Sequence, residues 1–369
     1  MTGYADNFWE IRVVKWVDVN VSVESNKLLE SIMKSNWQAQ LFLFSLAFLF
    51  VGQNALVSRE LEKHFKDVAS VKIKTVSGDC IVSKNDENEV AVIVTYDYED
   101  GEFEPRLEQR GRRLFLRERF ASGSSSGRIV WRVRVPEGTD IEFSTSSGDL
   151  EVTGLASDLT AGTSSGNIEL TDMNGKIKLG TASGDIRAKG VTGELDFGTA
   201  SGNIVVVGAS GRLKIGTASG RTTARNVEGR MQFGAASGDI SIVRASGDFK
   251  VGAASGDIDA DEITISDASE FDAASGDIEL KLGKSPDHDL KVAAASGDVL
   301  LDFNNQSIRG RIVVTARARG DRIQSPFEFD DTVYFEERGQ DYVTKIARKG
   351  SGPKIELRSD SGKAVIMSK

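Results

Sequence analysis

The sequence contains few of the residues that most catalytic and metal-binding sites need. Its 369 residues include one cysteine, Cys80, and two histidines, His64 and His288. A single cysteine excludes an internal disulfide framework and cysteine-rich metal sites, and two histidines argue against a histidine metal centre or a Ser-His-Asp triad. The net charge of −9 is the opposite of a basic nucleic-acid footprint. We therefore expect no nucleic-acid partner.

Proline is also scarce, with five copies against 38 glycines, and none lies between residues 137 and 285. Because proline removes a ladder hydrogen bond, a long proline-free stretch is typical of continuous β-sheet. Abundant glycine without proline excludes a collagen-like chain or a proline-rich linker, and it indicates many tight turns. The 39% hydrophobic and 27% charged residues give a globular composition.

A repeat of 18 residues dominates the chain. Ser-Gly recurs at this spacing from residues 147–148 to 255–256, then at Ser275-Gly276 and Ser296-Gly297, and a weaker glycine series lies halfway, from Gly175 to Gly247. Between the glycines, apolar and polar residues alternate with the period of a β-strand. The pattern predicts an all-β fold, a parallel β-solenoid of the β-helix type, with two nine-residue units per coil of about 18 residues. We expect it to be right-handed.

The same alignment predicts which slots face the core. One inward column begins with Leu150, Ile168 and Ile186, and a second with Leu159, Ile177 and Leu195, whereas charged residues between them face water. Each corner glycine must provide either a positive φ or room where a Cβ would clash.

The flanks depart from the repeat, as the ends of a solenoid must in order to cover the core and the edge strands. We predict an N-terminal β cap with the first coils over residues 60–145, the regular solenoid over 146–303, and C-terminal β-rich coils with a cap over 304–369.

The first 58 residues have the features of a leader. Residues 41–51 are apolar except for Ser45, too short for the roughly 20 residues of a membrane span but close to the apolar region of a signal peptide. Met33 and Lys34 precede this run. We expect residues 1–32 to be a mis-annotated leader and residues 33–58 to be a signal peptide or an uncleaved signal anchor. The protein would then be exported to the periplasm, the cell surface or the medium, or anchored in the membrane by residues 41–57.

The Ser-Gly-Asp-Ile corners, together with residues 350–357 and Ser361-Gly362, resemble the bacterial putative-adhesin repeat family of unknown function. The resemblance covers residues 70–369 and implies a secreted or membrane-attached β-solenoid, with no catalytic residues to carry over. Arg221 departs from the pattern, because it stands in the Asp or Asn slot. This departure argues against a ligand shared evenly along the column.

Two sets of charged residues are candidate sites. The slot after the corner glycine holds four successive acids, which could bind Ca²⁺ through carboxylate oxygens or could cap their own turns. They are Asp239, Asp257, Asp277 and Asp298. Five arginines of the N-terminal flank could bind an anionic polysaccharide or lipid head group, or could be the solvent-facing side of a strand pair. They are Arg113, Arg117, Arg119, Arg132 and Arg134.

The sequence favours an exported, non-enzymatic β-solenoid that acts as a cell-envelope scaffold or as an adhesion and binding module. Its partner would be an envelope component, a surface glycan or a protein. The alternative is a carbohydrate-active β-helix enzyme acting on an acidic polysaccharide. A third option, a filament-forming protein, depends on whether the caps leave a strand edge open. We assign no catalytic residue and, apart from the Ca²⁺ candidates, no cofactor.

Overall fold

A computed structural model describes residues 58–121 and 127–368, which form 29 β-strands and no helix. None of the segments in these two ranges is therefore a helix long and apolar enough to cross a membrane. The predicted leader, residues 1–32, and all but the last residue of the predicted signal segment, residues 33–58, lie outside the described residues.

The strands are short in the coils and longer in the flanks. The N-terminal flank contains β1 (Arg59–Lys66), β2 (Ser70–Lys74), β3 (Asp79–Lys84), β4 (Glu89–Tyr96), β5 (Phe103–Arg110), β6 (Arg113–Phe120), β7 (Ile129–Val135) and β8 (Asp140–Thr145). The coils contain β9 (Leu150–Thr153), β10 (Leu159–Thr163), β11 (Ile168–Thr171), β12 (Asn174–Thr181), β13 (Ile186–Lys189), β14 (Thr192–Thr199), β15 (Ile204–Val207), β16 (Ser210–Thr217), β17 (Thr222–Ala235), β18 (Ile240–Ala253), β19 (Ile258–Ile265), β20 (Ser269–Ala273), β21 (Ile278–Leu282), β22 (Leu290–Ala294) and β23 (Val299–Asp302). The C-terminal flank contains β24 (Gly310–Arg317), β25 (Ile323–Gln324), β26 (Asp331–Glu337), β27 (Gln340–Lys349), β28 (Lys354–Ser359) and β29 (Ala364–Met367).

The coils stack as two parallel ladders, so the predicted β-solenoid is confirmed, with about nine turns. Ladder A contains the strand that follows each Ser-Gly-Asp corner, for example β11, β13 and β15, and ladder B contains the other strand of each coil, for example β12, β14 and β16. In the regular coils each residue pairs with the one 18 positions on, as Ile186 does with Ile204. Strands β17 and β18 belong to both ladders, because each runs for 14 residues through a corner.

The core is a set of apolar columns between the two ladders. Ile186, Leu195 and Phe197 of one coil are at most 1% exposed. The predicted isoleucine column is continuous, and it extends in both directions to Cys80, which pairs with Leu150, and to Ala364, which pairs with Val299. The alternation in the sequence therefore specified both the strand register and the buried face.

The two glycine series are required for different reasons. A Cβ on Gly202, in the Ser-Gly series, would lie 1.8 Å from the carbonyl oxygen of Gly184 in the coil before, although the φ of Gly202 is not positive. Crowding, rather than a left-handed backbone, therefore fixes glycine at this corner. Gly193, in the weaker series, combines a φ of 117° with a Cβ position 2.2 Å from the carbonyl oxygen of Gly175. The weaker glycine series, which is less regular in sequence than the Ser-Gly series, therefore requires glycine both for its backbone conformation and for its close contact.

Both ends of the solenoid have caps built from antiparallel strands. At the N-terminal end, β1 and β4 extend ladder A beyond β7, and β5 extends ladder B beyond β6. At the C-terminal end, ladder B continues from β22 through β28, β24 and β27 to β26. The strands β5 and β26 are therefore the two edges of one ladder.

A charged side chain completes the hydrogen bonds at each end. In the coils, the N–H groups of the corner donate to carbonyls of the preceding coil, as Ser201 does to Ala182 at 3.0 Å. In the first corner the N–H groups of Val76 and Ser77 donate instead to Glu118, at 2.6 and 3.3 Å. In the last corner, the Arg322 guanidinium donates to the carbonyls of Ser361 and Gly362.

Candidate binding face

Threonine hydroxyls hold the Ser-Gly corners from inside. The N–H of Gly202 donates to Oγ1 of Thr199, three residues earlier, at 3.0 Å, and the N–H of Gly184 donates to Thr181 at 2.9 Å. These threonines are buried. From the coil of Gly238 onward alanine takes this slot, starting with Ala235, until Ser359 restores the hydroxyl bond to Gly362. The corner therefore folds with or without the hydroxyl.

The acidic column caps the neighbouring coil rather than its own turn. Oδ1 of Asp239 accepts the N–H of Asp257, and Asp257 and Asp277 accept from the next aspartate in the same way, at 3.3, 2.9 and 2.7 Å. Asp298 accepts the N–H of Lys363 at 2.8 Å. One oxygen of each Ca²⁺ candidate is thus occupied by a backbone donor. Among the residues that the structure describes, no three His, Cys, Asp or Glu side chains gather as metal ligands.

Arg221 interrupts this column and changes its chemistry. Its own N–H donates to Asn203 Oδ1 at 3.0 Å, but a guanidinium has no acceptor for the next coil. It pairs instead with Asp239 Oδ2 at 3.1 Å. An open depression of 480 Å³ surrounds this break, with Arg187 and Asp185 on its other side, 2.7 Å apart. The opposite charges here neutralise each other.

The predicted arginine group is divided between the two ladders. Three of its members lie on β6 in ladder B and two lie on β7 in ladder A, and all five are exposed. Each has a nearby partner: Arg113 contacts the Ser70 hydroxyl at 3.4 Å, Arg117 lies over the Phe115 ring at 5.4 Å, Arg119 is 3.7 Å from Glu104, Arg132 contacts Thr95 at 3.3 Å and Arg134 is 3.9 Å from Glu62. The arrangement is two smaller basic surfaces, and anion binding by either stays a prediction.

The outward charges of ladder B pair across neighbouring coils. Lys176 is 3.5 Å from Glu194, Lys214 is 3.9 Å from Asp196, and Arg230 is 2.8 Å from Asp248. Lys291 contacts Glu270, and this hydrogen bond raises the pKa of Lys291 and lowers that of Glu270. Such exposed pairs contribute little to stability. Each of these pairs is close to neutral.

Beside these charges, ladder B has a row of six outward-facing glycines that the fold does not require. This glycine stripe consists of Gly162, Gly180, Gly198, Gly216, Gly234 and Gly252, which stack in register. A Cβ on Gly180, Gly216 or Gly234 would meet no described atom within 4 Å, and for the other three the nearest atom is at 3.9 or 4.0 Å. None has a positive φ. Neither crowding nor backbone conformation therefore explains glycine here.

A parallel row of alanines widens this smooth surface. The alanine stripe consists of Ala182, Ala200, Ala218, Ala236, Ala254, Ala274 and Ala295, all exposed. Towards the C-terminal end the two stripes line an open depression of 610 Å³, and Asp272, Arg358 and Asp360 are also at its wall. We call the two stripes together the smooth face.

The Cys80 thiol and the corner serine hydroxyls lack the surroundings that activate a nucleophile. Burial raises the pKa of the Cys80 thiol well above its usual range, and its side chain is 1% exposed. The corner serines are exposed, as Ser201 and Ser219 are, but the residues beside them are Gly and Ala rather than a recurring base. His64 lies far along the chain on β1, 2.6 Å from Glu89.

Sequence reasoning missed the smooth face and the threonine column. Both are visible as a Gly-Thr or Gly-Ala dipeptide that ends the ladder B strand of six successive coils at 18-residue spacing, such as Gly198-Thr199 and Gly216-Thr217. The signal that could have identified the stripe is a recurring glycine at an outward slot within the strand, where strand propensity disfavours it.

One family model and several solved structures match this chain. The Toastrack DUF4097 family model matches residues 117–244 and 228–324. Similar solved structures include a putative adhesin from Parabacteroides distasonis, at 12% identity, covering 84% of this chain and 97% of that one with a TM-score of 0.32. Another is a putative adhesin from Parabacteroides merdae, at 11% identity, covering 86% and 97% with a TM-score of 0.30. No curated protein sequence matches the chain.

Proposed function

We propose that this chain, which belongs to the Toastrack DUF4097 family, is an exported, non-enzymatic module that binds an extended surface or envelope polysaccharide along the smooth face. The observation that carries the proposal is the glycine stripe. Six stacked glycines, each with space for a side chain, indicate a surface whose flatness serves something other than folding.

The physical reason is close approach. Glycine in a strand interior costs conformational entropy and leaves nothing to pack, so it is used where a ligand or another backbone must come near. On the smooth face the outermost atoms are backbone atoms and alanine methyl groups. A flat polymer can therefore contact the sheet over several coils, with its polar groups reaching the neighbouring column of Lys214, Gln232 and Lys250.

In the stripe coils that column contains three lysines, one aspartate and two uncharged residues, and this small positive excess supports a weakly charged glycan over a strongly acidic one. Lys214 is already near Asp196, and Lys291 is already paired with Glu270. An acidic polymer would have to displace these carboxylates. The corner serines lie beside Gly and Ala rather than beside a base, which supports binding over cleavage by a serine nucleophile.

Export belongs to the same proposal. Residues 41–51 supply the apolar run of a signal peptide or anchor, and a rod on the cell surface would present the smooth face to polymers of the envelope. N-terminal sequencing of the protein from its native host should begin after residue 52 if the segment is cleaved. Recovery of the intact chain from the cytoplasm would contradict export.

The test of binding is an envelope-glycan screen with the full chain, repeated with a variant that roughens the face. Gly216→Val adds a side chain whose Cβ would meet no described atom within 4 Å, and valine is favoured in strands, so folding should be preserved. Affinity for the best glycan should fall at least about tenfold, equivalent to 1.4 kcal/mol.

The control is Ser241→Val, which introduces the same valine side chain at an outward slot of ladder A, away from the smooth face. It should bind as the unaltered chain does. If Gly216→Val binds normally, or if both variants lose binding equally, the smooth face is not the glycan surface. Release of shortened glycan during the screen would contradict the non-enzymatic assignment.

A further inference from the structure

The strand β26 is an open sheet edge that exposes apolar side chains. It pairs with β27 on one side, and none of the described residues pairs with its other side. Val333, Tyr334 and Phe335 are 50%, 72% and 36% exposed, and they are three of the four large apolar residues so exposed in the described part of the chain. Proteins normally blunt such an edge, because it can add a strand from another chain.

The opposite edge of the same ladder is blunted. In the β5–β6 pair, the N–H of Ala121 donates to the Glu102 carbonyl at 2.9 Å. Hydrogen-bonded pairs alternate along an antiparallel ladder, so the nitrogen of Pro105 faces away from β6, at the position where an added strand would need a donor. End-to-end pairing through β5 is therefore disfavoured.

The backbone of β26 has its free donors and acceptors aligned. The turn between β26 and β27 is the two-residue type I′ turn, because Arg338 and Gly339 have φ values of 50° and 73°. The pair that closes such a turn, here Glu337 and Gln340, is hydrogen-bonded, and the pairs then alternate. It follows that the free backbone groups belong to three residues: Thr332, Tyr334 and Glu336.

We propose that β26 pairs with β26 of a second copy of this chain, antiparallel and centred on Tyr334, to form a twofold dimer. The centred register places the free backbone groups of Tyr334 opposite each other. It also places Val333 of each copy opposite Phe335 of the other, so the exposed apolar side chains cover one another.

The charges fit this register and no neighbouring one. At the two ends Asp331 meets Glu337 of the other copy, but each acid carries its own arginine: Arg348 lies 2.6 Å from Asp331, and Arg358 lies 2.7 Å from Glu337. The four groups can therefore alternate in sign. Moving the register by two residues places an apolar side chain opposite a carboxylate, Phe335 opposite Asp331 in one direction and Val333 opposite Glu337 in the other.

The interface is small, so the dimer should be weak and concentration-dependent. The area that a seven-residue strand edge can bury is well below the roughly 1,200 Å² at the lower end of standard stable interfaces. On a membrane or cell surface, confinement of the chains would favour the pairing.

The test uses cysteine cross-linking of the full chain, for which Cys80 is no interference because it is buried. Tyr334→Cys should form a disulfide-linked dimer under mild oxidation, since facing residues in a hydrogen-bonded pair have Cα atoms about 5.5 Å apart. The matched variant is Thr332→Cys, which faces Glu336 rather than itself and should cross-link far more slowly.

Sedimentation of the full chain, in detergent if its N-terminal segment requires it, gives a second readout. Tyr334→Lys places like charges opposite each other and should weaken self-association at least about tenfold. Val76→Lys, a change at another exposed apolar residue outside β26, should leave self-association unchanged. A monomeric Tyr334→Cys chain, equal cross-linking of both cysteine variants, or attachment of Tyr334→Cys only to other proteins would each overturn the proposal.

Discussion

One coil contains two glycines whose replacement is predicted to affect the stability of the fold in opposite ways. A Cβ on Gly220, at the Ser-Gly corner, would lie 1.7 Å from the carbonyl oxygen of Gly202, whereas a Cβ on Gly216, in the glycine stripe, would meet no described atom within 4 Å. Replacing each glycine by alanine adds the same methyl group to the same coil. The two variants therefore isolate the effect of stacking contacts.

The magnitudes follow from these distances. An ordinary contact between carbon and oxygen needs more than 3 Å, so Gly220→Ala must move two coils apart by over 1 Å or distort the corner. Overpacking of a dense interior costs about 1–3 kcal/mol and sometimes more. We expect a loss at or above 3 kcal/mol. Gly216→Ala should be neutral or stabilise the fold by about 0.4–1 kcal/mol, because alanine restricts the unfolded chain.

Urea denaturation of the full chain, monitored by far-ultraviolet circular dichroism, measures the difference, and hydrogen exchange locates it. Because each coil contacts only its neighbours, Gly220→Ala should first increase exchange in the coils around residues 202–238. Equal denaturation midpoints for the two variants would refute the stacking account. If both midpoints fell equally, the stripe would also be required for folding.

Other substitutions test the column residues and the cap. Thr222 occupies the isoleucine column, and its buried hydroxyl has no hydrogen-bond partner among the described residues, so Thr222→Val should stabilise the chain by about 1 kcal/mol in urea titrations. Glu118→Ala leaves the N–H groups of Val76 and Ser77 without their acceptor and should lower the free energy of unfolding by about 1–3 kcal/mol, whereas Arg119→Ala should lower it little. If the aspartate column only caps backbone groups, EDTA should leave the melting temperature unchanged; bound Ca²⁺ at 100 times its Kd would contribute about 2.7 kcal/mol. The bond to Glu89 raises the pKa of His64 above the ordinary 6.5, so its small contribution to stability is present below pH 6.5 and is lost as pH rises through the higher folded-state pKa; NMR titration should show Glu89→Gln lowering this pKa more than Glu62→Gln.

The period of the sequence was enough to predict the fold because every coil solves the same packing problem. Ile186 and Leu195 face inward for the reason that Ile204 and Leu213 do, so the alternation determines both ladders. Arg221 was also visible as an exception. The period could not show which glycines the fold requires. Gly216 and Gly220 are both glycines of the same coil, and only the positions of the neighbouring carbonyl groups show that Gly220 is required and Gly216 is not.

The ends of the rod were beyond prediction for a related reason. Stacking gives the corners a direction, because corner N–H groups donate to the coil before, as Ser219 does to Ala200. The first coil therefore presents donors without acceptors, and the last presents acceptors without donors. Glu118, an acceptor, and Arg322, a donor, meet these opposite needs from strands or turns outside the repeat. Such residues do not recur with the repeat, so the period cannot predict them, yet they complete the hydrogen bonds at the positions where stacking ends. The backbone at β26 has no equivalent cover in the described residues, and this is why we place association there rather than at the corners.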